Sequence, residues 1–131
     1  MEQPVVAVLT LLVLLQVKHL MADFVLQNAY ILENRKVYGH PGGLLHVGVH
    51  ALLSAVVFLV MGTPVAVLAA MLAAEALFHY HLDWAKDNFT HARALGPGQS
   101  LFWIALGADQ ALHQLSYLAL ALWWLHAAGG V

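Results

Sequence analysis

Cysteine is absent from this chain, and charge is scarce: five Lys plus Arg and seven Asp plus Glu make up only 9% of the residues. Without cysteine there can be no disulfide and no thiolate metal ligand. So few basic residues, with a net charge of −2, exclude the electrostatic footprint of a nucleic-acid binder. The charged fraction also lies far below the roughly 25% usual in soluble domains. A chain this short cannot hide a hydrophobic content of 62% from water, so a membrane is its expected solvent. No segment alternates polar and apolar residues with the period of two that a barrel strand requires. No basic segment precedes the first apolar run and no small-residue cleavage site follows it, so that run reads as a span and not as a signal peptide.

What is present is a set of long apolar segments. The 131 residues make one domain's worth of chain, with candidate spans at about 4–27, 44–61, 65–86 and 99–126. Each is long enough, at about 20 residues, to cross a bilayer as a helix. The first opens with the run Val5–Leu15. Between the first two lies the polar loop Asn28–Gly43, with Pro41-Gly42-Gly43 as its breaker. Gly62-Thr63-Pro64 reads as a tight turn whose proline opens the next helix. A second polar loop, Asp87–Gly98, closes with Gly96-Pro97-Gly98, and Ala127–Val131 trails off. The expected fold is all-α, a polytopic four-helix membrane bundle forming a single domain.

With four crossings, the two polar loops share one side and the termini share the other. All five basic residues, Lys18, Arg35, Lys36, Lys86 and Arg93, belong to the loop side, and the other side carries Glu2. The positive-inside rule then places both loops in the cytoplasm and both termini outside. Tyr30, Trp84 and Trp103 mark the inner interface, and Trp123-Trp124 the outer one.

Histidine is the anomaly, with nine residues. In helical register His19, Asp23 and Gln27 stack one turn apart near the end of the first span. His46 and His50 stack at the start of the second. Glu75, His79 and Asp83 stack at the end of the third, and Asp109 and His113, with Gln110 beside them, within the fourth. All of these groups converge on the cytoplasmic half, while Val5–Leu15, Ala51–Val60, Val65–Ala74 and Leu118–Leu125 are almost wholly apolar. Ionisable groups in a span are costly unless partnered, and such placement points to function.

Two ligands at i and i+4 on a helix can hold one metal ion, and pairs from facing helices build carboxylate–histidine centres in bundle cores. The candidate ligands are His19, Asp23, His46, His50, His79, Asp83, Asp109 and His113. Imidazole and carboxylate together suit a divalent metal, zinc first, with manganese or iron as alternatives. Glu75 or Asp109 is the expected base. Lys18 and Lys86 are expected at the cytoplasmic mouth, pairing with Asp23, Asp83 or Asp87 or receiving an anionic headgroup or phosphate. A lone His/Asp pair in a membrane helix is more often an interhelical hydrogen bond, but four pairs at one level favour metal or catalytic use. His81 falls off the Glu75–His79–Asp83 face, and His40, His91 and His126 are expected to be solvated. Gln27 and Gln110 read as groups supporting the ligands or pairing helices, and Asp87 as a loop cap.

Lys18 to Gln27, then His46-Val47-Gly48-Val49-His50, then His79 to Asp83 with Lys86, then Asp109-Gln110-Ala111-Leu112-His113 resemble, in this order, a bacterial and phage family of small polytopic membrane proteins. That family is catalogued only as a domain of unknown function. The resemblance runs over essentially the whole chain and implies the bacterial inner membrane, but no activity. The pattern is also loosely similar to inner-membrane metal-dependent hydrolases, and through them to the helical His/Asp zinc sites of the phospholipase C and nuclease P1 type.

Three functions of different class stay open. One is a metal-dependent hydrolase acting on a phosphoester of a lipid or amphiphile at the cytoplasmic leaflet. Another is a proton or metal-ion path, which the apolar outer half disfavours for want of polar stepping stones. The third is a two-histidine haem bundle, which has no use for four buried carboxylates. A non-catalytic accessory subunit in contact with membrane lipid stands beside them.

Overall fold

In hydrocarbon no water satisfies a backbone amide, so each segment must close its own hydrogen bonds, and a helix does this unaided. The computed structural model describes residues 2–127, with side chains from Pro4 onward. Among these residues α1 spans Glu2–Leu20, continues into a π-helical turn at Met21–Val25, and is followed by a short α2 at Ala29–Asn34. The long helices α3 (Pro41–Val60), α4 (Val65–Ala92) and α5 (Ser100–Ala127) complete the order. The fold is all-α. The tail expected to trail off over 128–131 lies outside the described residues.

Among the described residues three helical segments, Pro4–Val25, Pro41–Val60 and Val65–Ala92, are long and apolar enough to cross a membrane. The chain is thus an integral membrane protein with several candidate spans. The fourth expected span behaves differently. α5 is 28 residues long, but Asp109, Gln110, His113 and Gln114 in its interior lower its apolar character. The outward faces carry large exposed apolar side chains, including Leu52 at 67%, Val60 at 73% and Val65 at 75%, as a lipid-facing surface does.

α1 packs on α3 and α5, α3 on α4, and α4 on α5, so the four long helices close a ring, with α2 against α3. One end of this ring is filled by Leu11, Leu15, Phe58, Met71, Tyr117 and Trp124 among others. Lipid tails are as apolar as these side chains, so their contribution comes from close packing and not from escape from water.

The connections differ from expectation in three places. Pro41-Gly42-Gly43 does not break the chain: Pro41 occupies the first turn of α3, where its missing N–H costs nothing. His40 caps that turn, its Nδ1 accepting from Gly42 N–H at 3.0 Å. A Cβ at Gly42 would stand 2.9 Å from Asn34 Cβ, so the glycine lets α2 lie against α3. The loop itself contains α2, begun by Asn28, whose side chain accepts from Ile31 N–H at 3.0 Å. Finally, α4 continues to Ala92, because hydropathy marks a membrane boundary and does not stop a helix. Gly62, with φ of +73°, makes the turn into α4 that other residues adopt only with strain.

Candidate metal centre

A residue every fourth position draws a stripe along a helix, and three such stripes face the ring's interior. On α3 the stripe is His46, His50 and Ser54; on α4 it is Glu75, His79 and Asp83; on α5 it is Asp109, His113 and Tyr117. All nine are buried. α1 supplies buried Lys18 and His19, and its π-helical turn supplies Asp23. In that turn Leu26 N–H bonds the Met21 carbonyl at 2.8 Å, a widened geometry that recurs at functional sites.

The stripes meet at two carboxylates. Asp23 Oδ1 lies 2.8 Å from His50 Nε2 and 3.3 Å from His46 Nε2, and Asp23 Oδ2 lies 3.1 Å from His19 Nε2. Asp83 Oδ2 lies 3.0 Å from His46 Nε2 and 3.2 Å from His79 Nε2, while Asp83 Oδ1 lies 3.6 Å from His113 Nε2. His46 and His79 bring their Nε2 atoms to 3.4 Å. Asp23, His46, His50 and His79 each place a ligand atom within 4.8 Å of the others, and His79, Asp83 and His113 form a second group sharing His79. This cluster is capable of coordinating a divalent metal.

The fit can be tested on distances. Zinc bonds of roughly 2.0–2.1 Å to nitrogen and oxygen give a tetrahedron whose edges are about 3.3 Å. The triangle His46 Nε2, His79 Nε2 and Asp83 Oδ2 has edges of 3.4, 3.2 and 3.0 Å. Asp83 Oδ2 and His113 Nε2 are buried yet make no hydrogen bond among the described residues. Asp83 Oδ2 thus stands 3.0 and 3.2 Å from two imidazole nitrogens without hydrogen-bonding to either, the relation expected of ligands aimed at a common point. The large majority of buried side-chain polar atoms otherwise find a partner.

On its apolar side the cluster is closed by an ion pair between Lys18 and Glu75, whose side chains are 3% and 2% exposed. Ser54 donates to Glu75 Oε1 at 2.9 Å. On the opposite side a cleft of about 80 Å³ is lined by Asp23, Gln27, Arg35, Asp83, Lys86 and Asp109 among others. Arg35 donates to Asp87 and, at 2.7 Å, to Gln27 Oε1, and stands 3.8 Å from Asp83. Burial opposes the Arg35 charge, but Asp83 and Asp87 outweigh it and hold the guanidinium above its ordinary range.

The structure thus gathers His46, His50, His79, His113, Asp23 and Asp83 into the two ligand groups, and leaves His19 and Asp109 beside them. Lys18 is not at the mouth as its charge suggested: it is 4% exposed and lies inward, against Glu75. Lys86 lines the cleft and pairs with Asp87 at 2.5 Å. Asp87 is no simple loop cap, because it also holds Arg35. Gln110 accepts from His19 Nε2 at 3.2 Å, and Gln27 donates to the Asp23 carbonyl at 2.9 Å. His81 is exposed, 3.0 Å from the Tyr38 hydroxyl, and His91 and His126 are exposed. Arg35, Ser54 and Tyr117 were not anticipated. For Ser54 and Tyr117 the signal was there, each sitting one turn beyond a stripe already noted.

No curated protein and no solved structure matches this chain. The family described as Protein of unknown function (DUF3307) matches residues 11–129. Covering nearly the whole chain, that match makes this protein a member of the DUF3307 family.

Proposed function

We propose that this protein is a metal-dependent membrane hydrolase acting on a phosphoester of a lipid or amphiphile at the cytoplasmic leaflet, with zinc as the first candidate metal and manganese or iron as alternatives. The reading takes the chain as one domain crossing four times, with the polar loops 28–43 and 87–98 inside and both termini outside. Arg35, Lys36, Lys86 and Arg93, in and beside those loops, support this orientation. The observation that carries the metal is the triangle of His46, His79 and Asp83, whose 3.0–3.4 Å edges suit a tetrahedral ion.

A bound divalent ion would supply a water of lowered pKa and polarise a phosphoryl oxygen. The protein's own groups divide the remaining work. Lys86 and Arg35 line the cleft among three carboxylates, Asp23, Asp83 and Asp109, and a bound divalent ion would tip the balance of charge there toward a phosphate. Asp109 also lines the cleft, whereas Glu75 does not. That favours it over Glu75, held by Lys18 and Ser54, as the carboxylate that takes a proton. The inner side offers no path onward, since Leu11, Leu15, Phe58, Met71 and Tyr117 are fully buried there, and this weighs against ion transport. The test is phosphate release from phosphatidic acid in mixed micelles. Release that a chelator abolishes, zinc or manganese restores, and Asp83→Asn removes supports the hydrolase. A metal-loaded protein with no turnover of phosphomonoester or phosphodiester lipids would contradict it.

A further inference from the structure

The five clustered histidines are not equivalent, because their hydrogen-bond partners dictate which ring nitrogen carries the hydrogen. A neutral imidazole has one N–H and one lone pair, and only the lone pair can bind a metal. His113 Nδ1 faces the carbonyl of Asp109 at 3.0 Å. A carbonyl only accepts, so Nδ1 bears the hydrogen and the Nε2 lone pair is left facing Asp83. This is the usual arrangement of a ligating histidine, whose second nitrogen donates to a carbonyl or carboxylate.

His50 has the opposite arrangement. Its Nδ1 is 3.3 Å from Lys18 Nζ, and a lysine ammonium paired with Glu75 can only donate. The hydrogen of His50 therefore sits on Nε2 and is given to Asp23 Oδ1 at 2.8 Å. His19 repeats the pattern. Its Nε2 meets two acceptors, Gln110 Oε1 at 3.2 Å and Asp23 Oδ2 at 3.1 Å. The Gln110 amide is oriented by its own donation to Asp109 Oδ2 at 3.3 Å, so Oε1 is the atom that faces His19. The Tyr117 hydroxyl then donates to His19 Nδ1 at 2.8 Å. Among the described residues His46 and His79 have no partner at Nδ1, so no donor or carbonyl fixes their tautomer from behind, and their Nε2 atoms, 3.4 Å apart, both face Asp83 Oδ2 at 3.0 and 3.2 Å.

We propose that the cluster is two devices: His46, His79, His113 and Asp83 hold the metal, while His19 and His50 are positioning residues that clamp Asp23 with one N–H on each oxygen. Lys18, held by Glu75, sets the His50 tautomer from behind. This partition rests on the metal reading above and narrows its ligand set. It also gives the buried Lys18–Glu75 pair a task, since without a donor at Nδ1 the His50 ring is free to turn its lone pair toward the metal.

The test uses X-ray absorption at the zinc edge on the whole protein purified in detergent and loaded with Zn²⁺, beside zinc stoichiometry of variants. Three imidazoles per zinc, with one oxygen donor from Asp83, are expected for the wild type. His50→Gln and Lys18→Met should keep at least half of the wild-type zinc per chain, whereas His79→Ala and His113→Ala should lose at least tenfold in affinity. Four or more imidazoles on one zinc, or loss of zinc from His50→Gln equal to that from His79→Ala, would overturn the partition. The wild-type spectrum decides even if a variant does not fold. Absence of zinc from the wild type would instead overturn the metal reading itself.

Discussion

Replacing Lys18 with methionine removes a buried charge while keeping most of the side-chain volume, and so tests whether the Lys18–Glu75 pair closes the inner side of the cluster. Both side chains are almost fully buried, at 3% and 2% exposure. Removing one partner of such a pair leaves the other unpaired and costs about 3–5 kcal/mol. Lys18→Met and Glu75→Leu are each expected to lose that much, and together about 6–10 kcal/mol if the sites were independent. The double variant leaves no charge behind. What remains is the His50 Nδ1 without its donor, about 1–3 kcal/mol, since Ser54 can turn its hydroxyl to a carbonyl of its own helix. The double variant should therefore be more stable than either single one. Unfolding in mixed micelles by added SDS, followed by helical circular dichroism, measures all four proteins. Single variants each costing under about 1 kcal/mol, or a double variant equal to their sum, would refute the pairing.

Two further outcomes follow from the packing and the charge distribution. Gly42→Ala should destabilise by about 1–3 kcal/mol because its Cβ would meet Asn34 at 2.9 Å. Gly48→Ala, with open space around its Cβ, should be neutral or stabilise by up to about 1 kcal/mol; equal effects in the same SDS titration would count against the α2–α3 contact. In the cysteine-free background, cysteines at the exposed Val37 and Arg93 should be labelled only from the cytoplasm, and a reporter after Val131 should be active outside. A cytoplasmic reporter would reverse the proposed orientation.

Much of the cluster was legible because helical period and chemistry agree. His46 with His50, Glu75 with His79 and Asp83, and Asp109 with His113 each repeat every four residues, and each set is buried on one face. Ser54 and Tyr117 continue the same stripes but look like ordinary polar punctuation in an apolar segment. Lys18 was misplaced for a different reason. A cation near the end of a span reads as one that reaches for the interface, and the sequence did not disclose that Glu75, far along the chain, lies opposite it. Arg35 was missed because it lies within a loop that proved to contain α2, and only the folded loop brings it to Asp83 and Asp87. The glycines after Pro41 read as a breaker because nothing in the sequence shows that Asn34 will pack against them.

The central claim, a metal held by the His/Asp cluster, is tested most directly by elemental analysis of the detergent-purified protein beside His79→Ala and His81→Ala. His79 belongs to both ligand groups. His81 is two residues away, about 200° around the helix by its 3.6-residue period, and exposed. One zinc, manganese or iron ion is expected per wild-type chain, the same content in His81→Ala, and little or none in His79→Ala. A wild-type protein free of transition metal, or a His79→Ala variant that keeps its full complement, would contradict it.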